Sequence, residues 1–196
     1  MTKASSEPHV GLVVEGRGDA VAVPHLLRKW RVKNGHYMDV LGKVVPCKGR
    51  EDATKPNGIE GYVLAAAARP GCVGVLVTLD GEGDPVCKMG PQLSARATHF
   101  TRKPVVVSLA DTKFESWLVA SAETMGLTSL RFNPLADPVA LIRAAMPSKY
   151  AKPIWQPRLA DRIDFDLAIS RNESLVNGHP KVPTGGQLKC PTPKTS

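Results

Sequence analysis

Seven of the eighteen acidic residues in this chain fall in three five-residue windows, 15–19, 80–84 and 111–115. They are Glu15, Asp19, Asp80, Glu82, Asp84, Asp111 and Glu115. An even spread would place about one or two acids in those fifteen positions. Carboxylates gathered this closely repel one another and raise each other's pKa unless a cation neutralises them. Hard oxygen donors without accompanying His or Cys suit Mg²⁺ or Mn²⁺. Such an ion activates water and holds phosphate oxygens, so the chemistry expected is metal-assisted cleavage of a phosphodiester. Glu15 and Asp80 carry most of that expectation. Each ends a strongly apolar run, where an unpaired carboxylate is costly. The flanking Gly16, Gly18, Gly81 and Gly83 suit tight turns and close approach of a phosphate backbone. The plain structural alternative makes Asp19 a helix cap and 80–84 a solvent turn.

The elements that must position these acids alternate between short apolar runs and amphipathic stretches. Strands are expected at His9–Val14, Asp39–Pro46, Cys72–Leu79 and Lys103–Leu109. Helices are expected at Ala20–Lys33 with Asp19 as N-cap, Gly58–Ala68, Lys88–Phe100 and Lys113–Met125. Pro24 delays or bends the first of them. Further on, a short helix covers Asp137–Ala145, Pro153 and Pro157 bracket a turn carrying Trp155, and Arg158–Arg171 forms a last helix. Apolar strands alternating with helices define an α/β fold with a mostly parallel sheet covered on both faces. Right-handed crossovers put every strand's C-terminal end on one edge, where ligands of such folds bind. The three acidic windows would then converge there. The organisation expected is one α/β domain over 1–150, a helical C-terminal extension over 151–177, and a flexible Pro-, Gly-, Lys- and Thr-rich tail over 178–196.

Composition bounds the reading. The chain has 196 residues, 42% hydrophobic and 22% charged, an ordinary globular balance. Lys and Arg number 26 against 18 acids, a formal charge of +8, which suits an anionic partner. No apolar run reaches the roughly 18 residues of a membrane helix, and the polar start has no signal core, so a cytoplasmic protein is expected. The four cysteines and five histidines lack zinc-site spacing, and the cysteines read as reduced thiols, with Cys72 in a core strand. Gly16-Arg17-Gly18 lacks the third glycine of a dinucleotide loop, and no P-loop is present. Basic residues are spread over helices and loops: Arg28, Lys29, Arg31 and Lys33 form one run, and Lys48, Arg50, Lys55, Lys88, Arg96, Arg102 and Lys103 add others. They suit a nucleic-acid path, DNA or RNA, without localising it. Arg17, between the proposed ligands, is placed to steady a phosphate. Asp19 and Lys88 complete the proposed substrate contacts.

The segments Val13-Val14-Glu15-Gly16-Arg17-Gly18-Asp19 and Leu79-Asp80-Gly81-Glu82-Gly83-Asp84 resemble the two Toprim signatures, a Glu after the first strand and an Asp-x-Asp pair after the third. Glu82 stands where the second Asp is usual, and Asp84 follows two residues later. Within that superfamily the chain resembles small bacterial Toprim-like proteins of unassigned function, related to the nuclease domain of the overcoming-lysogenisation-defect proteins. The closer resemblance lies in Phe114-Glu115-Ser116-Trp117-Leu118, in Trp155-Gln156-Pro157 and in Ala160-Asp161-Arg162-Ile163-Asp164. It implies a Toprim-like sheet and a Mg²⁺- or Mn²⁺-dependent nuclease, in which Glu15 serves as acid/base or ligand. Asp80 and Glu82 would hold metal, with Asp84 in support and Glu115 completing the ligand set. It also implies a phage-defence or toxin effector working with a partner ATPase. A second copy of the chain is a further candidate partner, and none is a membrane. No Tyr stands in a topoisomerase-type arrangement. Two other readings use the same residues: a non-catalytic module docking on an ATPase or nucleic acid, and a small-molecule phosphatase.

Overall fold

The structure, a computed structural model, describes residues 7–175. The 178–196 segment expected as a tail lies outside the described residues. Four strands, β1 (His9–Val14), β2 (Leu41–Pro46), β3 (Cys72–Asp80) and β4 (Val105–Ala110), form one sheet in the order β2-β1-β3-β4. Every pairing is parallel. Helices cover both faces, so the protein is α/β. Successive side chains of a strand point to opposite faces. Val13, Val75, Val77, Leu79, Val105, Val107 and Leu109 therefore pack in one core with Ile59, Val63, Leu93 and Ala97. Those partners come from α3 (Gly58–Ala67) and α4 (Val86–Thr101). Val14 and Ala110 pack in the other core, against α1 (Asp19–Lys33), α5 (Phe114–Val119) and the helices that follow.

The differences from expectation have local causes. Asp39 lies outside β2, because its carboxylate pairs with Arg28 and accepts the Leu41 N–H. A short helix, α2 (Arg50–Thr54), was not expected; five residues leave no readable period. Asp19 is the first helical residue and not a cap, its Oδ2 accepting the Gly16 N–H at 3.1 Å. The helix runs through a buried Pro24. The Lys113–Met125 helix stops at Val119 and resumes as a 3₁₀ turn, Ala122–Thr124. After α6 (Pro138–Ala145), the Pro-bracketed turn is a helix, α7 (Lys152–Ala160). Pro153 lies in its first turn, where no N–H is needed. The Arg158–Arg171 helix is divided: Asp164 caps a separate α8 (Phe165–Arg171) by accepting the N–H groups of Asp166 and Leu167. Leu159, Ile163, Phe165 and Ala168 are buried in the same core as Val14 and Ala110. Cys47 and Cys72 are free and buried. Cys87 is disulfide-bonded, so the all-thiol reading fails, because spacing carries no signal for such a pairing. No described helix is long and apolar enough to cross a membrane.

Candidate functional site

The parallel sheet brings the C-terminal ends of β1 and β3 side by side, with Val14 in register with Thr78. Glu15 follows β1 and reaches across, its Oε2 accepting the Asp80 N–H at 2.9 Å. Asp80 in turn points toward α5, its Oδ1 accepting the Phe114 N–H at 2.7 Å. Gly81 makes the turn after β3 possible. A Cβ there would strike the Ala110 carbonyl and the Val86 side chain, backbone on one side and a helix on the other.

Water is partly excluded from these acids, and their protonation reflects it. Burial and the neighbouring Glu15 charge push Asp80 up to about 7. Burial raises Glu15 as well, with Asp19 and Glu82 adding repulsion and the Asp80 N–H and Lys152 opposing it. Asp19 is raised by burial against the pull of Lys152. Three carboxyls held above their ordinary range in one neighbourhood need a positive partner to ionise together.

A second layer of the site comes from α7. Lys152 Nζ lies 3.3 Å from Glu115 Oε1. The same oxygen accepts from Tyr150 Oη at 2.9 Å and from Gln156 Nε2 at 3.1 Å. Gln156 Nε2 also lies 3.5 Å from Asp19 Oδ1. Burial disfavours the Lys152 ammonium, but Glu115, Asp80 and Asp19 outweigh it and raise its pKa. Burial and the Glu115 charge raise Tyr150. Glu115 is completely buried, and among the described residues neither its Oε2 nor Gln156 Oε1 has a hydrogen-bond partner. Gly18 lets α7 come this close: a Cβ there would lie 2.7 Å from Gln156 Oε1 and 3.2 Å from the Lys152 Cβ.

Of the residues expected at the site, the structure brings together Glu15, Asp19, Asp80 and Glu115. Glu82 and Asp84 turn to Arg50 instead. That guanidinium pairs closely with Asp84, lies 3.5 Å from Glu82 Oε2 and donates from Nε to the Asp80 carbonyl at 3.0 Å. Glu82 takes a left-handed backbone, φ 51°, uncommon outside glycine. Arg17 is exposed and makes no hydrogen bond or ion pair among the described residues. Lys88 is exposed in the first turn of α4, and Asp111 is exposed beyond β4. Cys47, at the end of β2, is no nucleophile here: burial and the Glu15 charge push its thiol up to about 12.

Lys152, Tyr150 and Arg50 are the site residues that sequence reasoning missed. Arg50 and Lys152 look like any other basic residue until α2 and α7 are placed. Gln156 had a signal in the Trp155-Gln156-Pro157 segment. Among the described residues, no three Asp, Glu, His or Cys side chains close around one point as a metal-binding group. The donor chemistry nonetheless fits Mg²⁺ or Mn²⁺: all the acids offer hard oxygens, three are held above their ordinary pKa, and Glu115 keeps one oxygen unpartnered. Compared with family models, curated proteins and solved structures, the chain matches none.

Proposed function

We propose that this protein is a Mg²⁺- or Mn²⁺-dependent, Toprim-type enzyme that cleaves phosphodiester bonds in nucleic acid. The observation that carries the reading is the Glu15–Asp80 pair, two half-buried acids with raised pKa values at adjacent strand ends. Glu15, Asp80 and Asp19 would hold the ion, with Glu82 or Asp84 joining once released from Arg50. When bound, such an ion lowers the pKa of water and polarises a phosphoryl oxygen. The chain's own residues do the rest. The hydrogen bonds from Asp80 N–H to Glu15 and from Phe114 N–H to Asp80 fix one oxygen of each carboxylate. Lys152, raised in pKa and partly exposed, is a fixed positive charge for a phosphate oxygen. Glu115, Tyr150 and Gln156 hold that lysine and Asp19 in place. Exposed Arg17 and Lys88 would meet the substrate backbone. The net charge of +8 suits such a polyanion, and a defence or toxin role beside an ATPase belongs to the same proposal.

A second reading is a module with the same architecture and no catalysis. Its supporting observation is the Arg50 clamp, which neutralises Glu82 and Asp84 internally. Cleavage of labelled DNA and RNA with Mg²⁺ or Mn²⁺, for the wild type against Glu15→Gln and Asp80→Asn, tests the first reading. Loss of about a hundredfold or more in each variant supports it; full activity in both overturns the site. Calorimetric titration with Mn²⁺ separates the second reading, which expects no carboxylate-dependent binding.

A further inference from the structure

The face of the sheet opposite α3 and α4 holds a cavity of about 340 Å³, whose lining reaches Thr78, two residues before Asp80 on β3. Its walls are apolar and rich in aromatic rings: Trp30 from α1, Trp117 from α5 and Phe165 from α8. Trp30 and Phe165 meet edge to face at 5.0 Å between ring centres. Against this lining two polar side chains stand out. Thr78 on β3 and Ser108 on β4 both line the cavity and are 7% and 8% exposed. They are register partners on neighbouring strands, so their side chains leave the same face about 4.8 Å apart. Neither hydroxyl has a hydrogen-bond partner among the described residues.

Two features make this a ligand site and not a packing defect. The fully buried polar atoms without a partner among the described residues are Glu115 Oε2 and Gln156 Oε1, so the Thr78 and Ser108 oxygens are reachable from the cavity and free to bond a guest there. A pair of such hydroxyls, adjacent and opening into one apolar space of small-molecule size, has the make-up of a recognition pocket: an apolar body and a few converging polar groups. Among the described residues no charged side chain lines the cavity, so a charged head group would find no counter-charge there and is disfavoured.

We propose that the cavity binds a small, neutral, largely apolar molecule, ring-containing or aliphatic, whose single hydrogen-bonding head sits between Thr78 and Ser108. None of the described edge carboxylates lines it. Helix α5 nevertheless borders both, Trp117 lining the cavity and Glu115 anchoring Lys152.

Three probes share one body and differ in the head: 4-butylphenol, butylbenzene and 4-butylbenzoate. Each is titrated into the full chain while the methyl resonances of Val23, Leu26, Leu76 and Val106, which line the cavity, are followed by NMR. In the wild type, 4-butylphenol shifts these methyls saturably and 4-butylbenzoate does not. The double variant Thr78→Val, Ser108→Ala weakens 4-butylphenol about tenfold, the worth of one well-made hydrogen bond, and leaves butylbenzene unchanged or tighter. Should the double variant not fold, Ser108→Ala alone makes the same comparison with a loss of about threefold. Equal affinity for the phenol and the benzoate, or no change in the hydroxyl-free variants, overturns the proposal. So do NMR contacts between these methyls and residues 176–196 in the ligand-free protein, which would give the cavity to the chain's own C-terminal segment.

Discussion

The Glu15 carboxylate accepts the main-chain N–H of Asp80 at 2.9 Å, across a sequence separation of 65. Asp80 repeats the pattern one step further, taking the Phe114 N–H at the start of α5. Acid and amide thus alternate across the edge, from β1 to β3 to the helix after β4. Each carboxylate has one oxygen fixed by the backbone, and the position of the pair is set by the sheet rather than by a mobile loop.

This arrangement destabilises the protein when its acids ionise. Asp80 is pushed up to about 7 by burial and by Glu15, against about 3.9 in an unfolded chain. Between those values the folded state holds a proton that the unfolded state has lost, so stability falls as pH rises from 4 to 7 and stays low above. The difference of about three units sets a ceiling of about 4 kcal/mol. Asp80→Asn should unfold at a higher temperature than wild type at pH 8, by about 1–3 kcal/mol in stability, and near the wild-type value at pH 4. Thermal melts at both pH values measure it, and a gap equal at both would be inconsistent with a titrating Asp80.

Lys152 and Glu115 should be strongly coupled. Glu115 is completely buried, and Lys152 pairs with it at 3.3 Å. Lys152→Met leaves that charge uncompensated and should cost about 2–3 kcal/mol, less than a fully buried pair because the lysine is partly in water. In a Glu115→Gln background the same change should cost about 1–2 kcal/mol less. Urea unfolding of the four proteins gives the coupling directly. Additive losses would mean that the two side chains act separately.

Arg50 ties three strand-end groups together: the Asp80 carbonyl, Glu82 and Asp84. Arg50→Met should lower stability by about 1–3 kcal/mol, mostly through the carbonyl left without its donor. Under the enzymatic reading it should also raise Mn²⁺ affinity, because two carboxylates are set free. Calorimetry with Mn²⁺ on this variant and on wild type reports that part. Unchanged affinity would remove Glu82 and Asp84 from the ligand set.

Glycines of the two acidic motifs differ in what they tolerate. At Gly81 a Cβ meets the Ala110 carbonyl and Val86, whereas at Gly16 its nearest neighbour is Asp19 Oδ2 at 3.7 Å. Gly81→Ala should cost about 2–4 kcal/mol, and Gly16→Ala well under 1 kcal/mol. Denaturant midpoints compare the two.

The four strands and the helices that flank them were readable because their apolar runs are long and periodic: HVGLVV and CVGVLVTL could hardly be anything else. Glu15 and Asp80 were readable for the same reason, since each interrupts such a run at its end. What was hidden depends on tertiary placement. The prolines of α7 look like turn residues, yet Pro153 falls in a first turn where it does no harm. Lys152 gains its place only when α7 packs along α1 past Gly18. Spacing within Asp80-Gly81-Glu82-Gly83-Asp84 suggested a run of ligands, but the left-handed turn at Glu82 and the reach of Arg50 from a five-residue helix send the last two acids elsewhere.

Helix α7 supplies the positive charge and the amide that the strand-end acids need, and it lies far along the chain: Gln156 follows Asp19 by 137 residues. During synthesis, β1, β3 and their carboxylates emerge well before Lys152 does. A polypeptide that stops short of α7 carries the acids without their cation. On the enzymatic reading, nascent or prematurely terminated chains would be inert toward the message being translated, and activity would arrive only once α7 has been made.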